Sequence, residues 1–517
     1  MRYAANCLWV ISLLGSPSQA AHSLNTNTDT TPANANHIFN SIQSTLRHYE
    51  SSIYPNGMSF FLATVQKGTR FYHGTGTPDP IVGVEWLAFK PQHSLGFAHR
   101  AHRRERGKRS FQDDQDYDQA PLVDVPVHPH ATANTDKHTS ESSPVNAGYL
   151  HTYAAAKDLR LLYIDGMSAG PGGSLESQDR ILFNDTISNP PPGPRPPVGG
   201  PPAEQERAFQ TCRMVKEVWG DRVDGIARTE GDFEIILCAF ERDLEVVSIT
   251  QTKPGAGGGW RGMKGMKGDM KGINGGRKGD MKGMKGGRKG GRKDGGVDSR
   301  GGPARGPRGP RGPGGPPQGG DCCSIDARYD QLLGQKIHLD FDHFVSAFEY
   351  GLDLFPGGSE IPLLDHIPSE QLEPVRRDIN DMVNTLELAE HPFNWQAVAD
   401  MIVFRYSDEL KTLAAGNFSS VDALRGRIEG VLEPFIDYRH FGAREEIVGL
   451  CQNELIPASA PVESLGGRVV SSISRKVCDT LASGLLDEKD LDEIVANFKE
   501  LVSFLGWTTW KNNDRAL

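Results

Sequence analysis

The chain has 517 residues, enough for two or three domains, and its 37% of hydrophobic residues is below the share usual for globular proteins. The deficit is local, because long stretches rich in glycine, proline, histidine and aspartate dilute otherwise ordinary segments. Beyond the N-terminus no stretch is apolar enough to span a bilayer, which excludes a multi-span membrane protein.

The first twenty residues have the pattern of a secretory signal. Arg2 supplies the positive start, residues 7–14 form a short apolar core, and residues 18–20 provide small side chains before a cleavage point. A membrane anchor would need about 20 apolar residues, and this run is less than half as long. The pattern predicts a secreted protein without stable membrane insertion, glycosylated at the sequons of Asn184 and Asn417.

Cysteine usage agrees with export. Six cysteines remain once Cys7 leaves with the signal, and an even number in a secreted chain indicates disulfides. We expect the pairs Cys212–Cys238 and Cys451–Cys478, because each lies within one folded segment. The adjacent Cys322 and Cys323 could pair elsewhere or between chains.

Residues 37–250 alternate strand and helix patterns, which predicts an α+β domain. The predicted strands are residues 60–65, 71–72, 82–89, 159–164 and 233–240, and the predicted helices are the segment after residue 37 and residues 91–99 and 204–219. Residues 100–146 are charge-rich and poor in large apolar side chains, so we expect a disordered insertion there.

Residues 251–320 predict a low-complexity basic linker. Within residues 261–311, 16 lysines and arginines stand against 4 aspartates, so the rest of the chain is strongly acidic. A segment so rich in glycine cannot bury a core, and a plain tether is the interpretation we favour. The alternative is that its basic charge contacts anionic polymers or the acidic domains on either side; no particular partner is indicated.

Residues 325–510 show helical periodicity and predict an all-α domain. Its apolar stripes are typical of a core, and Asp487 is the predicted N-cap of the last helix. No metal site is predicted in the chain, because no spacing of a zinc site occurs. The sequence thus predicts an α+β N-terminal domain and an all-α C-terminal domain, joined by a disordered linker.

His73 is the side chain of the N-terminal domain that the sequence singles out as a candidate functional residue. A short aromatic strand delivers His73 into a loop of small residues, within the segment Tyr72, His73, Gly74, Thr75. This segment resembles the opening motif of the diphtheria-toxin-like and poly-ADP-ribose-polymerase-like ADP-ribosyltransferases. The resemblance implies that His73 binds the adenine-side ribose of NAD and that Gly74 lets the backbone approach the nicotinamide, with Tyr72 and Thr75 beside them.

The same resemblance implies a glutamate on a late strand, which stabilises the cationic sugar as its bond to nicotinamide breaks. Glu234 has that place in this sequence. The family also uses tyrosines between the histidine and the glutamate to sandwich the nicotinamide ring. Residues 86–97 contain aromatic side chains but no tyrosine, so Tyr149 or Tyr153 would have to take that role.

Two classes of function stay open. One is ADP-ribosyl transfer from NAD, or NAD hydrolysis, through His73 and Glu234, with NAD as the substrate. The other is a non-catalytic extracellular binding or effector-type protein in which His73 is a structural histidine. The whole chain is also similar to secreted proteins of filamentous fungi, a resemblance that implies an extracellular role and no particular reaction.

Overall fold

The computed structural model describes residues 32, 34–47, 54, 56–98, 148–169, 175–187, 203–229, 233–253, 336–385, 387, 392–439 and 444–510. The predicted signal (1–20), the predicted insertion (100–146), and Cys322 and Cys323 lie outside these residues. So does the predicted linker (251–320), apart from residues 251–253, which belong to the end of a strand and the turn after it.

Within the described residues, nine strands form one mixed sheet. In chain order they are β1 (Ser59–Val65), β2 (Arg70–Thr75), β3 (Glu85–Ala88), β4 (Tyr149–Ala155), β5 (Leu159–Ile164), β6 (Gly225–Thr229), β7 (Phe233–Leu237), β8 (Leu244–Gln251) and β9 (Ile337–Ser346). Their order across the sheet is β8-β4-β2-β3-β7-β6-β5-β1-β9. All neighbours are antiparallel except β5 and β6, which run parallel.

The strand β1 explains why the N-terminal part folds around a sheet. Its sequence, SFFLATV, is buried at six of its seven positions. A strand covered on both faces is expected to be apolar throughout rather than alternating. β1 is therefore a central strand, and it lies between β5 and β9.

The C-terminal part begins with a strand that the sequence analysis did not identify. β9 pairs antiparallel with β1, from Ser59 opposite Ser346 to Val65 opposite Ile337, with one irregularity between. Buried Ile337 and Leu339 alternate with exposed His338, because successive side chains of a strand point to opposite faces of the sheet. The prediction that residues 325–510 are wholly helical is corrected at this point, because β9 completes the N-terminal sheet.

The remaining elements are helices. They are α1 (Ala35–Ser44), α2 (Pro91–Leu95), α3 (Glu204–Glu217), α4 (Phe240–Asp243), α5 (Ser369–Thr385), α6 (Trp395–Ala415), α7 (Val421–Leu432), α8 (Arg444–Asn453), α9 (Leu465–Leu486) and α10 (Leu491–Leu505). A π-helical turn, Ser177–Leu182, lies between β5 and α3. The predicted fold class is confirmed: an α/β region precedes the undescribed segment and a helical region follows it.

A single apolar core joins the two regions. Its buried side chains run from Ala35 in α1 to Trp507 after α10. α1 packs on α9 and α6, and its Asn36 and Asn40 donate hydrogen bonds to the carbonyls of Phe504 and Leu505 at 2.7 and 2.8 Å. The N-terminal helix is thus an integral part of the C-terminal helical layer.

Two disulfides are present where the sequence predicts them. Cys212–Cys238 joins α3 to the residue after β7, and Cys451–Cys478 joins α8 to α9. Across the described parts of the chain, no helix combines the length and the apolarity that a membrane crossing requires.

Candidate active site

The strands that carry His73 and Glu234 are separated by one strand only. Tyr72 of β2 lies opposite Ala88 of β3, and Ala88 lies opposite Glu234 of β7. Residues 161 positions apart in sequence are therefore brought within one strand of each other.

The neighbours β2 and β3 share a single register pair, Tyr72 with Ala88, and then separate. Beyond that pair, the His73 ring reaches into the gap, where its Nδ1 lies 2.8 Å from the carbonyl oxygen of Trp86. Because a carbonyl only accepts, Nδ1 is the protonated nitrogen and donates this bond. The sheet is split at this point, and an imidazole replaces the backbone hydrogen bond of a continuous ladder.

The other ring nitrogen of His73 is available as an acceptor. In the described part of the chain Nε2 has no hydrogen-bond partner. Burial, with a smaller contribution from nearby His151, lowers the pKa of His73 to about 4 in spite of the Trp86 hydrogen bond. The ring is therefore neutral at physiological pH, with a lone pair on Nε2.

Strand alternation divides the six predicted site residues between the two faces of the sheet. His73 and Thr75 share one face with Tyr149, which lies opposite Thr75. Tyr72, Gly74 and Glu234 share the other face. His73 and Glu234 thus lie on opposite faces of the sheet, on strands that β3 separates, and their assignment as a catalytic pair stays a prediction.

The face of Glu234 carries a buried ionic network. Arg228, on the neighbouring strand β6, donates from Nε to Glu234 Oε1 at 2.8 Å and from its terminal nitrogen to Glu204 of α3. Arg207 of α3 donates twice to Asp179, at 2.8 and 2.7 Å, and once to Glu204 at 3.0 Å. Three carboxylates thus share two guanidinium groups in this network.

Glu234 is ionised within this network. Burial raises its pKa, but the Arg228 guanidinium and then His93 outweigh burial, and the net result is a pKa below the ordinary value. His93 Nε2 lies 3.9 Å from Glu234 Oε2. An ionised carboxylate that faces away from bulk water is the group that a developing cation requires.

Helix α2 forms the wall that covers this face. Gly74 is packed directly beneath it, because a Cβ on Gly74 would lie 1.8 Å from the carbonyl oxygen of Ser94. The motif glycine is therefore required for the close approach of α2 to β2. α2 also carries His93, whose ring packs edge-on against the ring of Phe97 with centroids 5.5 Å apart.

The two tyrosines expected to flank the nicotinamide ring, Tyr149 and Tyr153, have different environments. Tyr153 is buried, and its hydroxyl accepts from the Ile81 backbone at 3.0 Å and contacts His151 Nδ1 at 3.1 Å, which commits it to the scaffold. Tyr149 is half-buried on the face of His73. Phe97 is the aromatic side chain tied to Glu234, through His93.

Sequence reasoning missed the charged residues around Glu234, among them His93, Glu204 and Arg228. Each lies in an element that the sequence predicts or directly beside one, but nothing in the local pattern distinguishes a buried charge from a solvated one. One signal was present, since Arg228 lies inside the short strand pattern GIART, where an ordinary exposed arginine is not expected at a central position.

The comparisons with known proteins concern the N-terminal part. Residues 26–256 match a family described as the YPL277C N-terminal domain. The uncharacterised protein YOR389W of Saccharomyces cerevisiae is 32% identical over 223 residues, which cover 42% of this chain and 34% of that protein. The uncharacterised protein YPL277C of the same yeast is 30% identical over 229 residues, which cover 42% of this chain and 43% of that protein.

The aligned residues of this chain span less than half the length of either relative. No solved structure matches the chain significantly. The matched segment contains β1 to β8 and all six predicted site residues, whereas β9 and helices α5 to α10 lie outside it.

Proposed function

We propose that the protein is a secreted enzyme that binds NAD at the gap between β2 and β3 and transfers its ADP-ribose, either to an acceptor or to water. The observation that carries the proposal is the presence of a neutral imidazole with a spare acceptor and an ionised, buried carboxylate on two strands that only β3 separates. The short-motif resemblance around His73 points the same way.

In this proposal His73 binds ribose. Its Nδ1–H donates to the Trp86 carbonyl, which fixes the ring and leaves the lone pair of Nε2 as an acceptor. A ribose hydroxyl can donate a hydrogen bond to this lone pair. Because burial keeps the ring neutral, the bond would persist throughout the physiological pH range.

Glu234 acts on the sugar. The bond between the ribose carbon and the nicotinamide nitrogen breaks, and nicotinamide leaves with the bonding electron pair. The sugar becomes an oxocarbenium ion, which water or an acceptor group attacks with loss of a proton. The ionised carboxylate of Glu234 stabilises this cation relative to the ground state. Arg228 holds the carboxylate in place.

Helix α2 supplies the nicotinamide side of the site. Gly74 brings the backbone of β2 close to α2, and Phe97 offers a ring near Glu234 on which the nicotinamide stacks. This arrangement replaces the tyrosine that the family resemblance leads one to expect.

Secretion is part of the proposal. Two disulfides join described elements, which is usual for proteins of oxidising compartments. Asn184 and Asn417, the predicted glycosylation sites, are both exposed. Expression in a fungal host should place the chain in the medium, with a mass that falls after enzymatic removal of N-glycans.

The decisive experiment measures nicotinamide release from NAD by the purified chain. Glu234→Gln should lower kcat by about 10²–10³-fold, because it removes the charge that stabilises the cation and keeps the side-chain shape. Glu349→Gln is the control, since it makes the same change of side chain in the C-terminal part, away from the site. No release by the wild type, or equal release by both variants, would contradict the proposal.

Affinity for NAD tests the role of His73 separately. His73→Gln should raise KM about tenfold, the value of one hydrogen bond, with little change in kcat. His151→Gln is the control, because both nitrogens of His151 are already engaged, by Tyr153 and by the Thr77 carbonyl.

The second candidate is the non-catalytic binding or effector-type protein. The observation in its favour is that Glu234 is only 4% exposed and is held on both sides, as in a purely structural network. If the wild type neither binds nor turns over NAD, the ionic network is structural and this second function stands.

A further inference from the structure

A small polar pocket lies between α1, the segment before β1 and the end of β5. The side chains that give it its chemistry are Asn40, Ser41 and Ser44 of α1, Asn56, and Asp165 directly after β5. Its free space holds roughly one water-sized particle. It is separate from the β2–β3 gap and has no part in the proposed NAD chemistry.

Two amide oxygens in the walls of this pocket have no partner. Asn40 donates its Nδ2 hydrogen to the Leu505 carbonyl at 2.8 Å, and Asn56 donates to the Pro362 carbonyl. The nitrogen end of each amide is thereby fixed, and each Oδ1 is buried without a hydrogen bond among the described residues. Both side chains are 3% exposed. Buried polar atoms are rarely left unpaired, so these oxygens indicate a missing ligand.

The third group is a buried carboxylate. Asp165 Oδ1 accepts from the backbone nitrogens of Met58 and Ser59 at 2.8 and 2.9 Å. The described groups that contact this carboxylate are hydrogen-bond donors, Ser41 among them, and none of them is a cation. The charge of this carboxylate is therefore not neutralised by a described side chain.

The backbone is built closely around the same carboxylate. A Cβ on Gly57 would lie 1.9 Å from the Asp165 carbonyl oxygen and 2.7 Å from its Oδ1. A glycine at this position lets the segment before β1 close over Asp165.

We propose that this pocket binds a single calcium ion through the Asp165 carboxylate, the Oδ1 atoms of Asn40 and Asn56 and the hydroxyl of Ser44. Oxygen atoms alone are the ligands of hard cations, and the small pocket admits one ion. One carboxylate with neutral oxygens gives weak affinity, of the order of 10⁻⁴–10⁻³ M, as in other extracellular modules. The ion would hold α1 and β5 to the chain around Pro362 and Leu505.

The test is thermal unfolding of the full chain after removal of ions with a chelator. Calcium chloride at about 5 mM should raise the midpoint by a few degrees, with saturation in the millimolar range. Magnesium, sodium and choline chloride at equal ionic strength should not. No calcium response, as a pocket that holds only water would give, overturns the proposal; an equal response to magnesium overturns the assignment to calcium.

Variants locate the site. Asp165→Asn keeps the side-chain shape and an acceptor for Met58 and Ser59 but removes the charge, and it should abolish the calcium response. Ser44→Ala removes one lining oxygen at little cost to folding and should weaken calcium binding several-fold. Asp342→Asn, whose carboxylate accepts from the Trp395 indole at 2.9 Å, is the control and should keep the full response.

An unchanged calcium response in both pocket variants would overturn the proposal. If Asp165→Asn does not fold, Ser44→Ala alone decides.

Discussion

His73 and His151 lie opposite each other on β2 and β4, with ring centroids 6.3 Å apart. Both are imidazoles on neighbouring buried strands, yet their hydrogen bonding among the described residues differs: both ring nitrogens of His151 have partners, whereas only one of His73 does. His151 has a partner on each ring nitrogen, Tyr153 on Nδ1 and the Thr77 carbonyl on Nε2. His73 has one partner only, and this difference makes it the candidate for a ligand.

The buried His73 should make stability depend on pH. Its pKa falls from 6.5 in the unfolded chain to about 4 in the fold, so the unfolded state binds the proton more tightly. The contribution of the neutral His73 ring to the free energy of unfolding is fully present above pH 6.5. About 3 kcal/mol of it is lost as the pH falls towards 4. Urea unfolding at pH 7 and pH 4 measures the loss.

The comparison with His73→Gln isolates this contribution from general acid unfolding. The variant should lose less stability than the wild type between the two pH values, by about the same 3 kcal/mol. Parallel curves for the two proteins would contradict a neutral, buried imidazole at this position.

Arg228 is the residue on which the ionic network depends. Arg228→Met leaves Glu234 and Glu204 buried without their shared partner, which should cost about 3–5 kcal/mol in urea unfolding at pH 7. Because the folded pKa of Glu234 lies below its ordinary value, the pair contributes fully at neutral pH. That contribution disappears as the pH falls through the folded pKa.

A second substitution separates the charge effect from lost packing. Arg228→Met combined with Glu234→Gln removes the uncompensated carboxylate and should recover part of the loss. If the double variant is as unstable as the sum of the two single variants, the two side chains are not coupled.

At the scale of elements, the approach of α2 to β2 depends on one missing methyl group. Gly74→Ala places a Cβ 1.8 Å from the Ser94 carbonyl, so α2 must move away and carry His93 from Glu234. We expect a loss of about 1–3 kcal/mol in urea unfolding, together with loss of nicotinamide release.

Gly426→Ala is the matched control for this substitution. Gly426 lies inside helix α7, and a Cβ there meets nothing within 4 Å. Alanine should therefore stabilise the helix by about 0.5–1 kcal/mol without any effect on NAD chemistry. Normal activity in Gly74→Ala would show that the position of α2 is not important.

The elements that could be predicted are those whose side chains repeat with a clear period. β1, β5 and the long C-terminal helices follow from their apolar patterns. β9 could not, because its histidines and aspartates at residues 338, 340, 342 and 343 dilute the strand pattern, and its partner β1 lies far away in sequence.

Caps are decided by geometry that a pattern leaves open. The prediction that Asp487 begins the last helix was wrong by three residues. Asp490 is the N-cap and forms a capping box with Glu493, whereas Asp487 ends α9. Two aspartates near a helix start look alike in sequence, and the reciprocal hydrogen bonds distinguish them.

The candidate site was predictable only in its strand positions. The motif at His73 and the late strand at Glu234 can be found in sequence, because they lie in regular segments. Arg228 and His93 contact Glu234 from two different elements, and Glu204 binds Arg228 from a third, so no local spacing indicates them.

At the scale of the whole molecule, the segment that matches the family model, residues 26–256, is not a complete folding unit in this chain. β1 lies between β5 and β9, and α1 packs on helices of the C-terminal region. We expect residues 26–256, expressed alone, to aggregate, because the apolar side chains of α1 and one edge of β1 lose their cover.

Coexpression with residues 336–510 is the control. The second fragment supplies β9 and the helices that cover α1, so the two should copurify as a soluble complex. Cooperative unfolding of residues 26–256 on their own would contradict this dependence.

The pairing of β1 with β9 has a consequence for biosynthesis. Ser59 and Ser346 exchange a hydroxyl hydrogen bond across 287 positions of sequence. During translation of the intervening residues, β1 has no β9 to pair with, so its phenylalanines and one strand edge are exposed. Unpaired strand edges of this kind promote aggregation with other chains. Folding of the sheet can therefore be completed only after β9 has been synthesised. We expect chaperones to bind the chain most strongly between the synthesis of β1 and that of β9.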